Sequence, residues 1–437
     1  MKKQVFNPFL PLHECIPDGE PHVFDDRIYL FGSHDKEGGK EYCELDYAFY
    51  SAPLNDLSDW CCDGISYSSE QDPDYTESQK YMYAPDVVMG NDGRYYLYYS
   101  LQTSQAHNQP LSVAVCDTPA GKYEFYGHVQ NPDGTPFRRF LMSDPGLIND
   151  GGIIRLYYGW SLSSTAGKAH LGEEAQIPEQ YRQFQTVNPQ EALIQAQMML
   201  FKKTREEITS ETQGVMGANT AVLAGDMLTV IEGPVRIVPG EYEAKGTSFE
   251  GHAFYEASSI RKIGGIYYFI YSSELSNELC YATSPYPDRD FVFRGTIISN
   301  GDVGYKSRKP EDRLNMTANN HGSIECINGK WYVFYHRQTH NSTYSRQACA
   351  EPIIIENDGF IPQVEVTSCG LNGGPLLVVG EYPAVIACNI TNGRMPHITN
   401  RIVNADIPFA THGANPVNSQ TERYITNIKT GTMMGFK

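Results

Sequence analysis

The stretch EGHAFYEASSIRKIGGIYYFIYSS, residues 250–273, shows the unit from which most of the chain is built. A carboxylate, Glu256, is followed by a Gly-Gly turn and then by a short aromatic strand, in which Tyr268 stands twelve residues after it. The same order of polar head, tight turn and aromatic strand occurs five times. The other copies are IPDGEPHVFDDRIYLFGSH from Ile16, YAPDVVMGNDGRYYLYYS from Tyr83, SDPGLINDGGIIRLYYGWS from Ser143 and NHGSIECINGKWYVFYHR from Asn320.

Aligning the copies on the second strand residue places a polar residue at nearly the same position in every head. The aligned strand residues are Tyr29, Tyr96, Arg155, Tyr268 and Tyr332. The polar residues, which precede them by 11, 10, 11, 12 and 11 positions, are Asp18, Asp86, Asp144, Glu256 and His321. Two neighbouring carboxylates compete with this assignment. Glu20 and Glu250 lie nine and eighteen residues before their strand residues, so the register favours Asp18 and Glu256.

The composition and the repeat period together predict the fold class. With 12% aromatic residues, 30 Tyr and 39 Gly, the chain suits many short strands joined by tight turns. The aligned strand residues are 67, 59, 113 and 64 residues apart. Repeats of this length, each a meander of about four strands, are typical of a β-propeller with one blade per copy. We therefore predict an all-β fold, with a five-bladed β-propeller over residues 1–362.

The interval of 113 residues contains about 50 more than the others. Within the excess, Asn188 is a candidate N-cap, Pro189 suits the first helical position, and Ile194, Met198 and Phe201 recur at helical spacing. This pattern predicts one helical insertion, at about residues 165–215, between blades 3 and 4. Two interpretations are open: a lid or flank beside the site, or padding on the outside of the propeller.

The last part of the chain, residues 363–437, is β-prone and rich in Gly and Asn but lacks the polar head of the repeat. It predicts a β-rich C-terminal extension, either a small accessory sheet or a truncated module. The formal net charge of −18 opposes binding to nucleic acid or to an anionic membrane, whereas neutral sugars are compatible with it.

The apolar segments and the cysteines of the sequence bear on the cellular compartment of the protein. No segment approaches the ~18 apolar residues of a membrane span, and the N-terminal residues lack the apolar run of a signal peptide. A cytoplasmic protein is therefore expected. The ten cysteines are scattered without the CxxC spacing of a metal knuckle, so they are expected to be reduced and mostly buried.

The five polar heads should meet, because the innermost strand of every propeller blade lines one central axis. Bringing several carboxylates together is costly, since each raises the proton affinity of the others. A pair of carboxyl groups whose pKa values are pushed apart is what cleavage of a glycosidic bond needs. A single Asp beside Pro or Gly is usually a turn former. The prediction of an axial polar site therefore rests on five residues at one register.

The heads PDGEPHVF, YAPDV, SDPGLI, FYEASSIRK and NNHGSI, in this order, resemble glycoside hydrolase family 43 over about residues 8–362. The resemblance implies a five-bladed propeller enzyme that trims arabinoxylan and arabinan. It implies Asp18 as general base, Glu256 as general acid, and Asp144 as a third carboxylate that orients the acid and tunes its pKa. The first head departs from the family pattern, because Gly19 stands where the proline after the base is usual.

The resemblance also implies residues that contact the substrate or a metal. Asp86 and His321 match further axial positions, and the histidine is expected near a water-coordinated calcium ion. Arg346 is expected to reach the glycone. Phe31 and Trp160 are candidate aromatic contacts for the sugar, with packing in the core as the alternative.

The reaction that the resemblance implies is a single displacement with inversion, in which Asp18 and Glu256 hold their carboxyl groups roughly 6.5–9.5 Å apart. The expected activity is exo-acting removal of terminal α-L-arabinofuranosyl residues from oligosaccharides, with β-D-xylosidase as the alternative. Two other classes remain open. One is a non-catalytic carbohydrate-binding propeller, and the other is a propeller whose axial cluster holds a metal for stability.

Overall fold

The computed structural model describes residues 4–102, 108–163, 189–398, 402–403, 406–414 and 421–437. Over these ranges the chain forms five antiparallel sheets, one for each repeat, and two small two-stranded sheets. Two helices accompany them. The structure is therefore mostly β, as the composition predicts.

Blades 1 and 2 are meanders in which each strand pairs antiparallel with the next. Their strands are β1 (Glu20–Phe24), β2 (Arg27–Phe31), β3 (Tyr50–Pro53), β4 (Tyr81–Met89), β5 (Tyr95–Gln102), β6 (Ser112–Cys116) and β7 (Glu124–His128). In blade 1 a single bridge between Ser51 and Cys61 continues the sheet beyond β3.

Blade 3 contains the helical insertion. Its strands and helices are β8 (Gly146–Asp150), β9 (Ile153–Trp160), α1 (Pro189–Phe201), α2 (Arg205–Thr209), β10 (Gly217–Leu223) and β11 (Val230–Pro239). Because β9 pairs directly with β10, from Trp160 opposite Gly217 onward, the insertion lies within blade 3 and not between blades 3 and 4 as predicted. The length of the interval revealed the insertion but not which strand resumes the blade. The N-cap candidate Asn188 and residues 164–188 lie outside the described residues.

Blades 4 and 5 complete the ring. Their strands are β12 (Phe254–Ile263), β13 (Ile266–Ser273), β14 (Glu278–Ser284), β15 (Val292–Ser299), β16 (Ser323–Ile327), β17 (Lys330–Gln338) and β18 (Arg346–Ile353). The first strands β1, β4, β8, β12 and β16 contact one another in this order, and β16 returns to β1. A backbone bridge between Gly19 and Gly322 joins the last blade to the first. The predicted five-bladed propeller is confirmed.

The turns between the first and second strands fix the register of the blades. In blades 3, 4 and 5 the turn has two residues, both with positive φ, as the tightest hairpins require: Gly151-Gly152, Gly264-Gly265 and Asn328-Gly329. In blade 2 the turn has one residue more, because Gly90 bonds to Arg94 across the three residues Asn91, Asp92 and Gly93. Because of this extra residue, equivalent positions on the first strand of blade 2 lie one residue further from the aligned strand residue than in the other blades.

The hydrophobic core is divided among the interfaces between neighbouring blades. Tyr98 of blade 2, for example, is buried against Leu156 and Tyr158 of blade 3. Each such buried side chain contributes about 1.5–3 kcal/mol relative to an exposed one. The aromatic strands of the repeat are thus explained by packing between blades.

Both ends of the described chain pack on blade 5. The side chain of Asn7 exchanges hydrogen bonds of 2.9 Å with the backbone N–H and C=O of Ala350 in β18. The C-terminal extension contains two small sheets, β19 (Asn389–Thr391) with β22 (Met433–Gly435), and β20 (Phe409–His412) with β21 (Arg423–Thr426). The backbone of His340, in the loop after β17, donates to Ala410 of β20 at 2.9 Å. The predicted β-rich extension is therefore present and lies against the propeller.

The described helices and the cysteines bear on the expected compartment. Neither described helix is both long and apolar enough to cross a membrane. All ten cysteines fall in described ranges, where each carries a free thiol.

Candidate active site

Four of the five aligned head residues meet at one end of the axis, and we call them the upper ring: Asp18, Asp144, Glu256 and His321. In blades 1 to 4 the chain reaches this end through a residue with positive φ, which lies just before the inner strand in blades 1 and 3 and within it in blades 2 and 4. The φ values are 56° for Asp18 and 47° for Asp144, and at the same register 30° for Ala84 and 71° for Ala257. This repeated backbone turn explains why residues so far apart in sequence converge.

Asp18 is buried and surrounded by nitrogen atoms. Its Oδ1 accepts a hydrogen bond of 2.8 Å from Nη1 of Arg346, and it lies 3.4 Å from Nδ1 of His336 and 3.8 Å from Nδ1 of His321. Burial by itself raises the pKa of Asp18, but the Arg346 guanidinium, followed by the two histidines and the Ser33 hydroxyl, outweighs it. The pKa lies below its ordinary value, so this carboxylate is ionised at neutral pH.

Arg346 is held by a second carboxylate, Asp35, which lies four residues after the end of β2. Its Nε and Nη2 donate to the two oxygens of Asp35 at 2.8 and 3.0 Å. The ring of Tyr42 lies 4.7 Å from its guanidinium carbon. Arg346 is only 2% exposed, and it holds the carboxylate of Asp18 in place and favours its ionised form. Its predicted contact with the glycone stays a prediction. A bidentate pair of this kind fixes the guanidinium in one plane.

Glu256 has the opposite electrostatic environment. Its Oε2 accepts a hydrogen bond of 3.2 Å from the indole Nε1 of Trp160. Burial, and then the negative charges of Asp144 and Asp18, raise the pKa of Glu256 to about 8. A β-bulge around residues 256–259 interrupts the pairing of β12 and turns Glu256 toward the axis. At neutral pH this carboxyl group therefore carries a proton.

Asp144 lies beside Glu256, so a negative charge on either carboxyl group disfavours ionisation of the other. Burial raises the pKa of Asp144, opposed by His321 and by the backbone N–H of Ala257, which donates to Oδ2 at 3.0 Å. The Ser143 hydroxyl donates to its other oxygen at 3.2 Å. Donors of this kind favour the ionised form. The proton of the pair is therefore expected on Glu256, with Asp144 as the charge that keeps it there.

The predicted site residue Asp86 lies deeper in the axis. In blade 2 the longer turn makes Ala84, twelve residues before Tyr96, the counterpart of Asp18, and Asp86 lies two positions further along the strand. Asp86 is fully buried and accepts hydrogen bonds from the backbone N–H groups of Val87 and Leu147, both at 2.6 Å. Such a position does not suit the predicted contact with substrate, which is corrected accordingly.

At this deeper level Asp86 belongs to a second group, which we call the lower ring: Glu20, Asp86, Ser259 and Ser323. Ser259 donates to Glu20 at 2.5 Å and lies 2.6 Å from the hydroxyl of Ser323. The carboxylate of Glu20 thus points to the lower ring, whereas Asp18 points to the upper one. The exposed Glu250 bonds only locally, accepting from the backbone of Gly246 at 2.9 Å.

A calcium ion is expected on the axis near His321. Calcium takes six to eight oxygen ligands. His321 offers a nitrogen beside Asp18, and the nearest oxygen of Asp18 is already bonded to Arg346. In the lower ring the Arg261 guanidinium lies 3.4 Å from both Glu20 and Glu325, so a cation is already present there. The side chains around His321 therefore supply few of the oxygen ligands that calcium takes, so water would have to provide most of them, and the calcium ion stays a prediction.

Phe31 and Trp160, the two predicted aromatic contacts for the sugar, lie in different environments. Phe31 is fully buried between Phe24 and Phe49, with ring centroids 6.4 and 4.9 Å away, so it is a core residue and its predicted contact with sugar is corrected. Trp160 is half-buried beside Glu256. Helix α1 packs against its ring through Phe201, with ring centroids 6.0 Å apart. The insertion therefore flanks the site.

Sequence reasoning missed several residues of the site. Asp35 follows the second strand of blade 1, in GSHD, and His336 lies near the end of the second strand of blade 5, in FYHR. A polar residue at the end of an otherwise aromatic strand was the available signal. Tyr42 lies in an irregular loop. Its ring contacts those of Tyr83 and Tyr344 at 6.3 and 4.8 Å, forming an aromatic wall, and no repeat pattern could have identified it.

Comparison with known proteins bears on both the fold and the chemistry. No family model matches the chain. A xylosidase/arabinosidase of Thermoclostridium stercorarium is 43% identical over 445 residues, which span 100% of this chain and 83% of the relative. A xylosidase/arabinosidase of Bacteroides ovatus is 27% identical over 80% of this chain and 95% of its own length.

Solved structures share the fold. An enzyme of glycoside hydrolase family 43 from Xanthomonas citri matches with a TM-score of 0.58 at 21% identity, over 83% of this chain and 94% of its own. A β-xylosidase/α-arabinofuranosidase of that family from a compost metagenome, in complex with xylotriose, matches with a TM-score of 0.56 at 23% identity, over 83% of this chain and 98% of its own.

Proposed function

Because the chain belongs to glycoside hydrolase family 43 and is a glycosidase of the xylosidase/arabinosidase kind, we propose that it removes terminal α-L-arabinofuranosyl residues from oligosaccharides by a single, inverting displacement. The observation that carries the proposal is one constellation on the axis. Asp18 is ionised by Arg346, whereas Glu256 is kept protonated by burial and Asp144. Two carboxyl groups with pKa values pushed apart are the requirement of glycoside cleavage.

The proposed mechanism assigns one proton transfer to each of these groups. Asp18 accepts a proton from the attacking water as the bond from water oxygen to the anomeric carbon forms. Glu256 donates its proton to the glycosidic oxygen as the bond from that oxygen to the anomeric carbon breaks. Arg346 positions Asp18 through a 2.8 Å hydrogen bond, and Trp160 positions Glu256 at 3.2 Å. Asp144 acts through its charge on Glu256.

A second activity, release of terminal β-D-xylosyl residues, is favoured by the names of the relatives, which combine xylosidase with arabinosidase. Exo action is supported by the crowding of the site. Tyr42, Tyr83 and Tyr344 form a wall near Arg346, and Trp160 with helix α1 borders Glu256. A site closed on both sides suits the end of a chain better than its middle.

The activity is tested with two aryl pentosides side by side, the α-L-arabinofuranoside and the β-D-xylopyranoside. We expect turnover of at least the first, and release of only free pentose from matching oligosaccharides. A preparation of Asp18→Asn purified identically serves as the control for contaminating hydrolases. Binding of either sugar without turnover would contradict the proposal and favour a carbohydrate-binding propeller. Release of longer oligosaccharides would contradict exo action.

A further inference from the structure

A group of metal-ligating side chains lies outside the axial site, where the C-terminal extension meets the propeller. Glu37 follows β2, His340 follows β17, and His412 is the last residue of β20. One potential ligand atom from each lies within 4.8 Å of those of the other two. Three separate segments thus bring two imidazoles and one carboxylate to one point.

The two imidazoles present unused acceptor atoms. Nε2 of His340 and Nε2 of His412 are both buried, and neither has a hydrogen-bond partner among the described residues. The ring centroids are 4.6 Å apart. Buried polar nitrogens are normally bonded, and each one left unsatisfied costs about 1–3 kcal/mol. Two such atoms side by side therefore indicate a missing partner that both can share.

The opposite edges of the rings are held as metal-ligating histidines require. Nδ1 of His412 donates to the carbonyl of Gly413 at 2.8 Å, which leaves the lone pair on Nε2. Nδ1 of His340 lies 2.8 Å from the hydroxyl of Thr339 and 3.1 Å from that of Ser345. Partners of this type fix the tautomer and orientation of metal-bound histidines.

A glycine keeps the space beside the imidazoles open. A Cβ atom added to Gly38 would come within 2.8 Å of Nε2 of His412 and 3.6 Å of Cδ2 of His340. The φ of Gly38 is 68°, a conformation that other residues rarely adopt. The free edges of both rings therefore face a gap that no side chain fills at this position.

The third ligand is held by an outer partner. Arg423 donates to both oxygens of Glu37, at 2.9 and 2.6 Å, and each oxygen keeps a further lone pair. Ligating carboxylates are commonly hydrogen-bonded in this way. The positive charge of Arg423 opposes that of a metal, so the carboxylate is expected to bind through a single oxygen, and more weakly than a free one.

We propose that Glu37, His340 and His412 form a Zn²⁺ site, in which two imidazole Nε2 atoms and one carboxylate oxygen are the protein ligands. Zn²⁺ is bound by such nitrogen and oxygen donors with tetrahedral geometry, and water completes the fourth position. The metal joins strand β20 of the C-terminal extension to the loops of blades 1 and 5. Asp35 lies in the blade 1 loop and accepts from Arg346, the first residue of β18, which bonds in turn to Asp18.

The test uses the full chain, stripped with a chelator, desalted and titrated with Zn²⁺ by calorimetry and with Co²⁺ by visible absorption. One equivalent of either metal is expected to bind, with a rise in the thermal midpoint. His412→Gln and His340→Gln should each weaken binding by at least roughly 100-fold, since loss of outer partners alone costs about 10–100-fold.

His128→Gln is the matched control, because His128 also lies beside two carboxylates, Asp72 and Asp74, at 4.0 and 3.8 Å. It should bind Zn²⁺ like the unmodified protein. Failure of the full chain to bind Zn²⁺, or equal binding by the His412 and His340 variants, would overturn the proposal. Circular dichroism checks the fold of each variant. If His340→Gln does not fold, His412→Gln in the small C-terminal sheet decides.

Discussion

Replacing Glu256 by Gln should slow hydrolysis of pentosides with poor leaving groups by roughly 10³-fold, while activated aryl pentosides lose only a few-fold. The amide cannot donate the proton that a poor leaving group needs, whereas a good leaving group departs without it. The amide can still accept the hydrogen bond from Trp160 that Glu256 receives at 3.2 Å. The measurement is kcat/KM for a series of aryl pentosides of differing leaving-group pKa.

The same variant should also change the pH profile. Glu256 acts in its protonated form and its pKa is raised to about 8, so activity of the unmodified enzyme falls as the pH rises through about 8. Asp18 acts in its ionised form and its pKa is lowered, so activity is lost only at acidic pH, as the pH falls through the lowered pKa of Asp18. In Glu256→Gln the basic limb should disappear while the acidic limb stays.

Glu250→Gln is the control for this experiment, because Glu250 stands six residues before Glu256 but is exposed, and its side chain accepts from the backbone of Gly246. Its kinetics should match those of the unmodified enzyme. Equal losses across all leaving groups in Glu256→Gln, or a basic limb that persists, would show that another group is the acid.

Asp18→Asn should abolish activity on every substrate, by about 10⁴-fold, whatever the leaving group. The attacking water needs a base in both good and poor substrates, and an amide cannot accept its proton. The change removes a negative charge that is bonded to Arg346 at 2.8 Å but preserves the shape of the side chain. Asn also tolerates the left-handed backbone found at this position, with φ of 56°.

Asp25→Asn is a suitable control, because Asp25 lies in the turn after β1 with φ of 52° but is exposed to solvent. It should leave kcat/KM unchanged. If Asp18→Asn retains activity within about tenfold of the unmodified enzyme, the base is a different residue. Glu20, whose carboxylate points to the lower ring, would then be the next residue to replace.

The repeat made much of this architecture predictable. Five heads before five aromatic strands indicated five blades, and blades of a propeller share an axis, so Asp18, Asp144, Glu256 and His321 could be placed together from spacing alone. Register also separated Asp18 from Glu20, and Glu256 from Glu250, where residue type could not. For Asp18, Asp144 and His321 the spacing held because the turns of blades 1, 3 and 5 have the same length of two residues. Glu256 stands one residue before the matching position, Ala257, at the β-bulge of β12.

Where the turn length changes, spacing misleads. The three-residue turn in blade 2 moved Asp86 to the lower ring, although its count of ten residues resembled the others. The role of Arg346 depended on a carboxylate from another blade, Asp35, about three hundred residues away in sequence. Phe31 illustrates a third difficulty, because an aromatic residue in an inward-facing strand has the same pattern whether it meets a sugar or another blade.

The stereochemistry of the first product tests the central assignment most directly, because Asp18 as a base and Asp18 as a nucleophile give opposite anomers. Hydrolysis of the aryl α-L-arabinofuranoside, or of the β-D-xylopyranoside, is followed by proton NMR from the first minutes, before the free sugar equilibrates. With Asp18 as base and Glu256 as acid, the initial product is the inverted anomer, β-L-arabinofuranose or α-D-xylose. Initial release of the retained anomer would contradict a single displacement and the roles given to both residues.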